Sequence, residues 1–137
     1  MKTTMRMITA TFFLIGLMTL GASMVSATDC TDTTTLLMGD STGAICSSAG
    51  FTSGVISTVN GDVSAKAGVT LGAMSRTIGS IDAGAAFTSG AASVVGGNVT
   101  AVGDITLGAK SRITGTVHSG TGVITYGDGA TVGQVLP

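Results

Sequence analysis

The chain has 137 residues, 44% of them hydrophobic but only 4% aromatic and 9% charged, with 22 glycines, one proline and no tryptophan. So few bulky aromatics exclude a wide globular core, and so little charge among recurring valines and isoleucines excludes disorder. Setting aside Lys2 and Arg6, four cations face seven aspartates, a net of about −3, with no basic stripe for nucleic acid and no polybasic helix for a membrane surface.

Lys2 and Arg6 form a basic start, and Ile8 to Leu20 is an apolar run short for a bilayer span. Val25-Ser26-Ala27 then supplies a small-x-small cleavage pattern. Residues 1–27 are therefore predicted to be a signal peptide and the protein to be secreted from Thr28 onward, with no membrane span after cleavage. A retained anchor is the alternative. Export places Cys30 and Cys46, the only cysteines, where disulfides persist. Without clustered histidines they make a poor metal site, and one disulfide closing the N-terminal segment is expected, worth roughly 3 kcal/mol. The alternative is two buried free thiols.

Residues 28–42 carry the repeat only faintly and are expected to act as an N-terminal cap, with Leu36-Leu37-Met38 covering the open end. Terminal units of repeat proteins usually depart from the consensus. From residue 43 to 137 the register is plain. Gly43-Ala44-Ile45, Gly61-Asp62-Val63, Gly79-Ser80-Ile81, Gly97-Asn98-Val99, Gly115-Thr116-Val117 and Gly133-Gln134-Val135 recur at a spacing of 18. Phe51-Thr52-Ser53-Gly54, Val69-Thr70-Leu71-Gly72, Phe87-Thr88-Ser89-Gly90 and Ile105-Thr106-Leu107-Gly108 do the same. Inside the 18 lies a period of six, marked by a small residue at 61, 67, 73, 79, 85, 91, 97, 103, 109 and 115.

A helix needs apolar residues near a period of 3.6, and a glycine every six positions would cost each time about 1 kcal/mol. Short strands separated by small corner residues fit instead. Three sides of six residues make a triangular coil. The predicted fold is all-β: a single-domain, three-sided parallel β-helix of about six 18-residue coils, stacked at about 4.8 Å into a rod of about 28 Å. Val63, Ile81, Val99, Val117 and Val135 should form one interior ladder, and Phe51, Val69, Phe87, Ile105 and Val123 another. Val59, Val95 and Ile113 should fill the third side.

Gly61-Asp62-Val63-Ser64-Ala65, Val69-Thr70-Leu71-Gly72-Ala73 and Gly115-Thr116-Val117 resemble the repeat of the polymer-forming bactofilin domain. That resemblance implies a small β-solenoid that polymerises end to end into nonpolar filaments without nucleotide. The same segments are similar to the solenoid region of secreted microbial ice-binding proteins, which implies a flat water-ordering face.

No chemistry is spelled out. His118 is the only histidine, in an outward position equivalent to Ser64, Asp82 and Thr100, and reads as a surface residue. Asp62, Asp82, Asp104 and Asp128 fall in different columns, so no carboxylate pair is inferred. Gly127-Asp128-Gly129 resembles a calcium-binding turn once only, and Asn98-Val99-Thr100 is a formal glycosylation sequon. No enzyme activity, cofactor or metal is expected.

Two surfaces remain. Thr52, Thr70, Thr88 and Thr106 should point outward beside glycines 54, 72, 90 and 108, a strip able to order water or adsorb to ice or another repetitive surface. The alternative is that these threonines merely stack as good strand residues. At the other clue, Val117, Val123, Val135 and Leu136 are expected to present an apolar, unpaired coil end, a template for a second copy, blunted in part by Pro137. The function expected is a secreted structural solenoid that self-associates end to end; the alternative is ice binding or surface adsorption.

Overall fold

The computed structural model describes residues 31–137. The predicted leader and Cys30 lie outside the described residues. Sixteen short strands follow one another: β1 (Thr35–Leu36), β2 (Ser41–Thr42), β3 (Ile45–Ser47), β4 (Phe51–Ser53), β5 (Thr58–Val59), β6 (Val63–Ala65), β7 (Val69–Leu71), β8 (Arg76–Thr77), β9 (Ile81–Ala83), β10 (Phe87–Ser89), β11 (Val94–Val95), β12 (Val99–Ala101), β13 (Ile105–Leu107), β14 (Arg112–Ser119), β15 (Ile124–Tyr126) and β16 (Thr131–Leu136). No described residue is helical.

Every strand pairs in parallel with its equivalent one coil away, as a β-solenoid requires. The first face stacks β3, β6, β9 and β12 onto the end of β14. The second stacks β1, β4, β7, β10, β13 and β15. The third stacks β2, β5, β8, β11 and the start of β14. Because β14 runs unbroken round a corner, the first and third faces join into one ten-stranded sheet.

Each three-residue strand except β15 in the last coil buries its ends and exposes its middle residue: Val63 and Ala65 point in, Ser64 out. The expected ladder Val63, Ile81, Val99, Val117, Val135 is in register, and Ile45 extends it. Phe51, Val69, Phe87 and Ile105 stack as expected. On the third face Val59, Val95 and Ile113 are buried together with Thr77. Each such aliphatic contributes about 1.5–3 kcal/mol on burial.

The second face also explains why the sequence repeats most closely at 36. Phe51 shares its strand with Ser53 and Phe87 with Ser89, whereas Val69 pairs with Leu71 and Ile105 with Leu107, all eight inward. A large residue is matched by a small one within each coil, so the volume per coil stays nearly constant, as a close-packed interior demands. The serines are not idle: Ser53 and Ser89 Oγ accept from the N–H of Gly72 and Gly108 in the next coil at 3.0 and 3.1 Å.

Corner glycines are required by close approach between coils. A Cβ on Gly72 would lie 2.5 Å from the carbonyl carbon of Gly54, and one on Gly90 as close to that of Gly72. Positive φ, by contrast, belongs to a different corner, between the second and third faces. There Ile56, Met74, Ala92 and Lys110 take φ of 60°, 55°, 55° and 57°, while glycine holds the place only in the outer coils, at Gly39 and Gly129.

Two expectations are corrected. Val123 is not in the second ladder: Ile124 pairs with Ile105, because Gly122 at φ 76° accommodates one extra residue in the turn before β15. The shift persists through Ile113↔Val132 and is taken back by an irregularity before Thr116↔Gln134, so the glycine-polar-aliphatic register returns at Val135. Within residues 31–42, β1 and β2 pair with β4 and β5 one residue short of the usual period. Leu37 and Met38 do not cover the coil end; only Leu36 turns inward.

Candidate functional surfaces

The second face stacks six strands in one unbroken register order. Its outward residues are Thr35, Thr52, Thr70, Thr88, Thr106 and Thr125, paired rung to rung and all exposed. The four expected threonines are thus part of a column of six. At about 4.8 Å per rung it spans about 24 Å. None of the six hydroxyls bonds to a protein group among the described residues. Gly54, Gly72, Gly90, Gly108 and Gly127 run along one flank. Thr35 and Thr125 were illegible as members because the coils holding them run one residue short and one long.

The first face carries the polar column Ser64, Asp82, Thr100 and His118, in register as expected, and Leu136 lies over His118. A shallow depression of about 360 Å³ lies between this column and Asp62, Ser80 and Asn98. Those three side chains are structural. Asp62 Oδ1 accepts from Ser80 N–H at 2.7 Å, Ser80 Oγ from Asn98 N–H at 3.1 Å, and Asn98 Oδ1 from Thr116 N–H at 2.8 Å. Each of these three side chains therefore satisfies a donor that the ladder leaves open, at about 1 kcal/mol apiece. His118 makes no side-chain hydrogen bond or ion pair among the described residues, and no group of three potential metal ligands occurs among them.

The last coil differs from those beneath it. Val117 is fully buried under it, which removes it from the terminal surface where sequence reasoning set it. Val123 is exposed in the turn, off the interior ladder. Leu136 points outward along the first face. Among the residues of the last coil that turn toward the axis, Tyr126 is 47% exposed and Val135 45% exposed; Ile124 and Val132 of the same coil, with Ala130, are partly buried against the core. Tyr126 occupies the inward position of Leu107 and was missed because the inserted residue hides its register.

Cys46 lies exposed in the outward column of the first face, so it is not a buried thiol, and there is no free cysteine among the described residues. Cys46 N–H donates to Thr31 O and Thr31 N–H to Ala44 O, both at 3.0 Å. This chain matches no protein-family model, no curated protein and no solved structure. The resemblance to bactofilins and to ice-binding proteins rests on the repeat alone.

Proposed function

We propose that the protein is a secreted, non-enzymatic structural β-solenoid that assembles end to end with copies of itself through its last coil. The observation that carries this reading is the exposure of Tyr126 and Val135, whose equivalents in the coils below, Leu107 and Val117, are buried. A coil in that state presents the apolar cross-section of a core together with unpaired backbone donors and acceptors, and both are satisfied by one more coil. A Cys30–Cys46 disulfide is part of the proposal, supported by the pairing of Thr31 with the strand that holds Cys46. It would pin the first coil in an oxidising compartment.

Sedimentation velocity and electron microscopy of the purified protein test the assembly. Oligomers or filaments that Val135→Lys converts to monomers are expected, because a lysine at the uncovered centre leaves a buried charge in the joint. Monomeric wild-type protein at high concentration refutes it.

A second reading is favoured by the six-threonine column. Hydroxyls in rank on a flat strip order water, and the protein would then bind ice or another repetitive surface. Thermal hysteresis lost in Thr88→Tyr is the expected result; native protein without effect on ice growth eliminates this reading.

A further inference from the structure

The corner between the second and third faces combines two features with no place in the packing scheme. Its N-terminal half displays Leu37, Met38, Val55, Ile56 and Met74, all solvent-exposed, with Met38 at 73% and Ile56 at 55%. They are neighbours: Gly39 N–H donates to Val55 O and Ile56 N–H to Ala73 O, each at 3.0 Å, and Met74 N–H to Ala91 O at 2.8 Å. Ile56 and Met74 also stand at φ 60° and 55°, where a bulky residue is strained and β-branched Ile56 most of all. The same corner accepts Gly39, Ala92 and Gly129, so the fold does not call for large apolar side chains here. Strain combined with exposure points to a surface under a demand other than folding.

Charge identifies the partner. Of the four cations among the described residues, Lys110 stands on this same corner and Arg76 and Arg112 lie immediately beyond it on the third face. Arg76 and Arg112 are two rungs apart, about 9.6 Å. Met74 and Arg76, like Lys110 and Arg112, flank an inward serine, so each pair projects from one corner. No ion pair occupies these cations among the described residues. Asp62 and Asp82 are outside this surface, on the first face, and only Asp40 and Asp128 approach the corner, at its two ends. A near-neutral sequence is thus sorted in three dimensions into an apolar ridge with cations along one side. The ridge is convex, shaped to enter a soft phase and not to receive a segment of chain.

We propose that this ridge is a peripheral lipid-binding edge, in which Leu37, Met38, Val55, Ile56 and Met74 enter the interfacial region of an anionic bilayer while Arg76, Lys110 and Arg112 engage headgroup phosphates. Apolar insertion and electrostatic attraction are the two components that hold proteins at such interfaces.

The test is vesicle flotation with residues 28–137, which hold every described strand and the whole described core. Phosphatidylcholine vesicles are compared with vesicles containing about a third phosphatidylglycerol, a composition that supplies the surface charge in question. Binding is expected only to the anionic vesicles and is expected to weaken with salt. Ile56→Asn with Met74→Asn should reduce it by about tenfold or more, and asparagine tolerates this backbone conformation, so thermal unfolding serves as the control that the fold is kept. Arg76→Glu with Arg112→Glu should reduce it similarly. Absence of binding to anionic vesicles overturns the proposal. So does equal binding by the asparagine variant, or an asparagine variant that loses self-association in place of lipid binding, which makes the ridge a protein contact. The end-to-end joint is read separately by Val135→Lys, which leaves this edge intact.

Discussion

The third face has one interior position occupied by the wrong kind of residue. Thr77 is stacked between Val59 and Val95 and is buried, yet its Oγ1 has no hydrogen-bond partner. Valine has the same shape with a methyl in place of the hydroxyl, and this coil's two neighbours already use it. Leaving a buried hydroxyl unbonded costs about 1–3 kcal/mol, and the added methyl contributes up to about 0.8 kcal/mol on burial. Part of the first term is recovered when the side chain relaxes, so Thr77→Val should stabilise the protein by about 1–2 kcal/mol. For a domain of this size that is a rise of about 4–8 °C in Tm, or a matching shift in the urea midpoint at constant slope. The serine column supplies a control. Ser57 and Ser75 Oγ donate to Gly54 O and Gly72 O at 2.9 and 2.8 Å, whereas Ser93 and Ser111 Oγ are buried without a partner. Ser75→Ala should therefore cost about 1 kcal/mol and Ser111→Ala should cost nothing or stabilise. If Thr77→Val destabilises, or if the two serine substitutions behave alike, the unpaired hydroxyls are bonded in solution and the reasoning fails.

Volume matching within a coil predicts strong coupling between Val69 and Leu71: Val69→Phe and Leu71→Ser should each cost about 2–3 kcal/mol, and the double variant, which copies Phe87 and Ser89, should recover most of it in a double-mutant cycle. Gly90→Ala should destabilise by about 3 kcal/mol because the neighbouring atoms are backbone, while Gly43→Ala, with open space around it, should be nearly neutral in denaturant melts. Ile56→Gly should raise stability by about 0.5–1 kcal/mol, the relief of left-handed strain less the added freedom of the unfolded chain, measured by calorimetry.

The interior was legible because its constraint is local and repeated. A residue every 18 positions sees the same neighbours, so period, three-sidedness and the ladder through Val63 follow from counting. Counting fails where the period does. Thr35 and Thr125 left the threonine column, and Val123 displaced Ile124, because coils at either end differ by one residue in length. The role of the buried serines was also hidden. Spacing marks Ser75, Ser93 and Ser111 as polar exceptions to an apolar rule, and only the left-handed residue before each one turns it toward the axis. The charge asymmetry was invisible for a related reason. Arg76 and Arg112 are separated by two full coils in sequence and become neighbours on one face only after winding.

That winding separates the demands on the chain. Inward positions answer to packing, and the glycine-polar pairs to close approach and donor satisfaction between coils. The outward middle residue of each strand answers to neither, so an outward column can change composition at little cost to the core. Three such surfaces are drawn differently here: six threonines on the second face, Ser64, Asp82, Thr100 and His118 on the first, and Arg76, Val94 and Arg112 on the third. A strand-forming preference alone would favour β-branched residues in all three, yet only the second face is uniform. Uniformity there therefore carries information that core stability does not require. It follows that Thr88→Tyr should leave unfolding nearly unchanged while altering whatever that face contacts. A large loss of stability in that variant would mean that the threonine rank is part of the scaffold and not a working surface.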